Sequence, residues 1–205
     1  MSDMPASGRL IVLSGPSGVG KDTVLRRLFE LDPGLRYSVS FTTRPPRDGE
    51  VDGRSYSFVD AQTFRRMQRA GDFLETATVH GNLYGTSARR VREALARGDD
   101  IVLKIDVQGA AAVRDRVPEA LLVFLLPPSA DELRARLRAR ETEDAASLRR
   151  REEDAVRELA EAARYDHRVV NDDVDRAARE ILAIVAETPG RNRLPSGDAG
   201  KAADD

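Results

Sequence analysis

The chain has 205 residues and carries 33 lysines and arginines against 35 aspartates and glutamates, for a net charge of −2. That balance argues against a dedicated nucleic-acid binder, whose electrostatic footprint is a net basic domain, and the absence of cysteine excludes disulfides, thiolate metal sites and cysteine nucleophiles. With 40% hydrophobic residues the chain can build one core, and its only lysines are Lys21, Lys104 and Lys201, so the useful question is which few of the many arginines are placed by chemistry.

The first residues (MSDMPASGRLIVLSG) lack a basic segment followed by a long apolar one, and no run approaches the roughly 18 apolar residues of a membrane helix. A soluble cytoplasmic protein without a membrane partner is expected. Residues 9–14 (RLIVLS) form a nearly continuous apolar run, the pattern of a strand covered on both faces of a parallel sheet. Val24, Leu25, Leu28 and Leu31 then recur at helical spacing until Asp32-Pro33-Gly34 stops the helix.

Between that strand and that helix, Gly15, Pro16, Ser17, Gly18, Val19, Gly20 and Lys21 fit the phosphate-loop pattern G-x-x-x-x-G-K. Its glycines let backbone N–H groups turn onto a phosphate chain, the helix N-terminus adds partial positive charge, and Lys21 reaches the β and γ phosphates. ATP binding is therefore expected over residues 15–23. The pattern usually continues with a hydroxyl residue that meets Mg²⁺, but Asp22 stands there and Thr23 follows. Asp22 is either a hard oxygen ligand for the ion, with Thr23 as the alternative, or a carboxylate that complements the helix dipole.

From 41 to 97 the texture changes to short alternating strands, such as 56–59 and 73–79, with polar turns and two amphipathic helices. This reads as an inserted α+β subdomain over the carboxyl edge of the sheet, where open α/β folds bind ligands. Within it, Arg44 and Arg47 flank Pro45-Pro46; polyproline II geometry projects both guanidinium groups from one side, a clamp for a phosphate dianion.

The α/β alternation resumes with a strand at 100–106, a helix at 107–116, a buried strand at 120–126, a short strand at 167–170 and a helix at about 174–187. The fold class is α/β, a doubly wound parallel sheet of the phosphate-loop NTPase type. Its core spans 8–40 and 98–187. Residues from about 127 to 152 read as a mobile helical hairpin in which Leu133 and Leu137 form the inward stripe. Helical spacing of about 100° per residue puts Arg136 and Arg140 beside that stripe, while Arg134 and Arg138 point away. Lys104 shares a strand face with Asp106 and pairs either with it or with bound phosphate. Residues 188–205 lack apolar periodicity and are expected to be disordered.

Taken together, Ser40, TTRPPR (42–47), Gly49-Glu50, Gly53, Tyr56, GDFLE ending at Glu75, GNLYGT (81–86) and IDVQGA (105–110) resemble the guanylate kinase family, over nearly everything from 9 to 187. The resemblance implies a kinase that transfers the γ-phosphoryl group of Mg-ATP directly, in line, to GMP or dGMP for GTP and dGTP supply and GMP recycling. It implies that Ser40, Glu75, Thr86 and Asp106 contact guanine, that Arg44, Arg47, Tyr56 and Tyr84 hold the GMP phosphate, and that Arg136, Arg140 and Arg151 are lid arginines closing over ATP. The catalytic set would then be Lys21, Arg44, Arg136, Arg140 and Arg151, with Mg²⁺ as cofactor and Asp106 a further candidate ligand. Guanine offers adjacent N1–H and N2–H donors, and a carboxylate such as Glu75, sharing a strand face with Phe73 and Ala77, has two oxygens to meet them. The family often carries an acidic residue where this chain has Lys104. A ribose 1,5-bisphosphate kinase-like enzyme and a noncatalytic guanylate-kinase-like binding module are the competing readings, and the chain's oligomeric state, monomer or homodimer, is left open.

Overall fold

Strand β1 (Leu10–Ser14) is buried at all five positions. Leu10 and Val12 enter one apolar cluster and Ile11 and Leu13 another, so both faces of the strand are covered. The computed structural model describes residues 8–79, 81–138 and 145–189. After β1 come α1 (Lys21–Leu31), β2 (Arg36–Tyr37), β3 (Phe41–Thr42), β4 (Ser57–Phe58), α2 (Ala61–Arg69), β5 (Phe73–Val79), β6 (Asn82–Ser87) and α3 (Ala88–Ala96). The chain continues through β7 (Ile101–Lys104), α4 (Val107–Arg116), β8 (Leu121–Leu126), α5 (Ala130–Arg138), α6 (Ala145–Ala160), a 3-10 turn (Glu161–Arg164), β9 (His167–Val170) and α7 (Val174–Glu187).

Strands β2, β7, β1, β8 and β9 lie in that order in one sheet, all parallel. On one side Val24, Leu25 and Leu28 of α1 pack with Ala177, Ala178, Ile181 and Val185 of α7. On the other, Val91, Ala94 and Leu95 of α3 join Ala110 and Val113 of α4. Each fully buried aliphatic side chain here contributes about 1.5–3 kcal/mol of transfer free energy, which is what fixes the two helical layers. The expected doubly wound parallel sheet is present, and α4, β9 and α7 have the bounds read from the sequence. Strand β2 was not anticipated: its two residues are held by parallel pairing with β7, and no periodicity exists at that length.

A second sheet has the order β4-β3-β6-β5. Helix α2 starts where Asp60 accepts the Thr63 N–H at 2.8 Å, an N-cap, and lays Phe64 on Phe73 with ring centroids 4.6 Å apart. Among the described residues, no helix is long and apolar enough to cross a membrane.

Candidate active site

The phosphate loop runs from the carboxyl end of β1 into α1. Gly20 is the N-cap with φ 100°, a left-handed conformation that side chains rarely adopt, and a Cβ there would lie 2.5 Å from Asn171 Nδ2. Asn171, just after β9, is 4% exposed and donates from Nδ2 to the Val19 carbonyl at 2.8 Å, pinning the loop from the far edge of the sheet. Lys21 Nζ donates to the carbonyls of Gly15 at 2.5 Å and Pro16 at 3.1 Å. Burial lowers its pKa from 10.5 to about 8, against the pull of Glu158 and Asp22, which favour the charged form. Glu158 of α6 accepts the Ser17 N–H at 3.1 Å, so a carboxylate faces a loop amide of the kind that binds phosphate. Burial raises the Glu158 pKa, opposed mainly by Lys21.

At the other end of the site, Glu75 is 4% exposed and accepts a hydrogen bond from Thr86 Oγ1 at 2.6 Å. Burial raises its pKa from 4.5 to about 7; the Thr86 hydroxyl works against that rise and the Asp106 carboxylate adds to it. The register shifts between Phe73 and Glu75, which corrects the expectation that these two share a face. Phe73 stacks on Phe64, whereas Leu74 joins the cluster around α4 and Glu75 reaches the start of that helix. Arg116 secures the irregularity by donating to the carbonyls of Phe73 and Leu74 at 3.1 and 2.5 Å.

Asp106 is the N-cap of α4 and accepts the Gly109 N–H at 2.8 Å. Burial raises the Asp106 pKa, opposed mainly by that hydrogen bond and by Lys21. A Cβ on Gly109 would lie 2.7 Å from Glu75 Oε2 and 3.3 Å from Asp106 Oδ1, so the missing side chain is what lets both carboxylates approach the helix start. Gly109→Ala should therefore displace Glu75 and raise KM about tenfold for GMP, the substrate that the resemblance implies, while the better helix propensity of alanine, worth about 1 kcal/mol, offsets the strain. Steady-state kinetics and thermal unfolding check this; an unchanged KM would show that Glu75 has other room.

A cleft of about 750 Å³ joins the two ends, lined by Ser17, Lys21, Ser40, Arg47, Tyr56, Glu75, Tyr84, Asp106 and Arg151 among others. A side cavity of about 330 Å³ is lined by Asp22, Arg44, Arg47, Glu50, Tyr56, Tyr84 and Lys104. The side chains expected at the GMP phosphate are thus brought together. Arg44 donates from Nη2 to both Glu50 oxygens at 2.8 and 2.9 Å and lies over the Tyr56 ring, its guanidinium carbon 5.4 Å from the centroid. Thr86 is fully buried and acts on Glu75 rather than lining the cleft.

Leu133 and Leu137 are each 3% exposed, and Arg136 between them is less exposed than Arg134 or Arg138. Arg136 pairs with Glu132 at 3.0 Å and donates to the carbonyls of Val19 at 3.2 Å and Asn171 at 3.4 Å. It therefore braces the phosphate loop and does not line the cleft. Arg140 lies outside the described residues, as does the tail from residue 190.

Lys104 does not pair with Asp106. Strand β7 ends at Lys104, so strand alternation no longer governs Asp106, and Lys104 Nζ instead donates to Asp22 Oδ1 at 2.5 Å. Burial works against the Lys104 ammonium, but the oxygens of Tyr37, Tyr56 and Asp22 push its pKa above the ordinary lysine value. Sequence reading missed Glu158 and Asn171, and took Gly109 only as part of the IDVQGA motif. Glu158 is one acidic residue in a charge-rich helix, and Asn171 follows a short strand with no motif of its own.

The guanylate kinase family model matches residues 7–188. The chain belongs to the guanylate kinase family. It is 50% identical over 193 residues to a guanylate kinase of Nocardia farcinica, covering 93% of this chain and 100% of the relative. It is 48% identical over 184 residues to a guanylate kinase of Symbiobacterium thermophilum, covering 90% of this chain and 87% of the relative. The crystal structure of guanylate kinase from Anaplasma phagocytophilum superposes with a TM-score of 0.76 at 34% identity, covering 89% of this chain and 87% of that one. For a guanylate kinase the two ends of the cleft acquire distinct chemistry: a phosphate loop with a buried ammonium at one end, and a buried carboxylate acceptor with a cationic side cavity at the other.

Proposed function

We infer that this protein is an ATP:GMP phosphotransferase that joins the γ-phosphoryl group of ATP to the phosphate of GMP or dGMP. The observation that carries the reading is that one cleft holds both Lys21 of the phosphate loop and the nearly buried Glu75 carboxylate, and shares Arg47, Tyr56, Tyr84 and Lys104 with the side cavity that Arg44 lines. Glu75, fixed by Thr86, presents an acceptor suited to the N1–H and N2–H edge of guanine; adenine has no such pair of donors. Ser40 and Asp106 complete the polar rim of that end, and Arg44, Arg47, Tyr56 and Tyr84 receive the phosphate.

The phosphate loop and Lys21 hold the phosphates of ATP, and Arg151, which lines the cleft, supplies further positive charge near the transfer path. An oxygen of the GMP phosphate forms the new P–O bond while the bond between the γ phosphorus and the β–γ bridging oxygen breaks. The attacking oxygen is already anionic, so no general base is required, and catalysis is positioning plus charge stabilisation. Among the described residues no three His, Asp or Glu side chains cluster as a metal cage. Mg²⁺ takes one or two carboxylates and completes its shell with water and substrate phosphates. We assign the ion to Asp22, with Thr23 or Asp106 as alternatives. When bound, Mg²⁺ would supply positive charge to offset the charge that develops on the transferring phosphoryl group. The reading includes a cytoplasmic location, with ATP and GMP as partners and neither nucleic acid nor membrane.

A substrate panel of GMP, dGMP, AMP, UMP and ribose 1,5-bisphosphate, followed by coupled ADP release, tests it. GMP should exceed AMP by about 10⁴ in kcat/KM, because a site built around specific hydrogen bonds rejects an analogue that cannot make them. Preferential turnover of the sugar bisphosphate, or failure of the protein to bind ATP, would overturn the reading.

A further inference from the structure

Two positions at which this chain departs from the expected pattern, Asp22 and Lys104, meet each other in the fold. They are 82 positions apart in sequence and pair at 2.5 Å in the lining of the side cavity. The pair is lopsided: the Lys104 side chain is 13% exposed and that of Asp22 is 76% exposed. Lys104 is further held with its ammonium 5.2 Å from the centroid of the Tyr56 ring, the same ring that carries Arg44. The cation is therefore the enclosed member of the pair and the carboxylate the solvent-facing one. A buried cation left without an anion is costly, so whatever displaces Asp22 must itself be anionic.

The same cavity repeats the arrangement with Arg44, which is paired to Glu50. Both Lys104 and Arg44 thus stand charged and positioned beside one tyrosine, each held by an internal carboxylate. We propose that Lys104 is a direct ligand of the acceptor's phosphate, held ready by Asp22 and passed to the phosphate when the nucleotide enters, which frees Asp22 to face the phosphate loop. Lys104 adds a third cation to the Arg44–Arg47 clamp. This deepens the GMP kinase reading and rests on it.

Binding without ATP or metal isolates the step. With EDTA present, isothermal titration of GMP and of guanosine, which lacks the phosphate, is compared across variants. Lys104→Met should weaken GMP binding by about 10- to 100-fold and leave guanosine binding unchanged. Asp22→Asn removes the competing anion and should tighten GMP binding by about 3- to 10-fold, since the competent arrangement no longer has to be released from its internal partner. In the Lys104→Met background the gain from Asp22→Asn should shrink to about twofold or less. Lys104→Arg, which keeps the charge, should bind GMP more tightly than Lys104→Met. Equal loss of GMP and guanosine binding in Lys104→Met, or weakening of GMP by Asp22→Asn, would overturn the proposal by making the pair a structural strut. If the unaltered protein bound no GMP at all, the functional reading would fail first.

Discussion

Replacing Glu75 with glutamine should cut kcat/KM for GMP by about 10²–10⁴ while leaving ATP affinity within about threefold, and it should make the unliganded protein more stable. The first effect follows because the amide puts an N–H group where guanine also presents donors. The second follows from burial. Glu75 titrates at about 7 in the folded protein against an ordinary value of 4.5. Between those values the folded chain holds a proton that the unfolded chain has released, so Glu75 subtracts stability as pH rises from about 4.5 to about 7, and the full penalty persists above that. Glutamine lacks this slope. At pH 8 the variant should gain on the order of 1–3 kcal/mol, or roughly 3–10 °C in Tm for a chain of this size. Thermal melts at pH 5 and pH 8, set beside kinetics with GMP, test both halves; a variant less stable than the parent at pH 8 would show that the carboxylate is held by more than its Thr86 contact.

Lys21→Met should lower kcat by about 10²–10⁴ with little change in GMP binding measured without ATP, because Lys21 belongs to the opposite end of the cleft from Glu75. The parent protein should also show a proton signature. Buried in the loop, Lys21 titrates at about 8 against an ordinary 10.5. Between those values the folded chain has released a proton that the unfolded chain keeps, so stability rises with pH across that window. ATP brings negative charge to Lys21 and should restore the proton. Calorimetry near pH 9 in buffers of different ionisation enthalpy should therefore find proton uptake on ATP binding by the parent and none by Lys21→Met. Equal uptake in both would assign the proton to another group.

The parts of the site that lie within one continuous segment were the legible ones. Residues 15–21 could be read as a phosphate loop because strand, glycines, lysine and helix follow one another within a few residues. Arg44 and Arg47 could be read as a clamp because two prolines fix their relative direction, and both line the same cavity. Glu75 was legible as an acceptor, but its surroundings were not. Strand alternation put it with Phe73, and the register shift on β5 instead turns it towards Gly109, a residue 34 positions away whose lack of a side chain makes the space.

Charge pairing between distant segments was the least legible. Arg136 stood out by its place beside the Leu133–Leu137 stripe, yet besides its neighbour Glu132 its acceptors are the carbonyls of Val19 and Asn171, which the fold alone brings to it. Glu158 meets the Ser17 N–H across 141 positions, and Lys104 meets Asp22 across 82. The sequence by itself determined the α/β class, the parallel core strands, the phosphate loop and the family, because each is written in local periodicity or in runs of neighbouring residues. Only the tertiary structure decided which charges face one another, since ion pairing depends on distances of a few ångströms between side chains whose separation along the chain carries no such information.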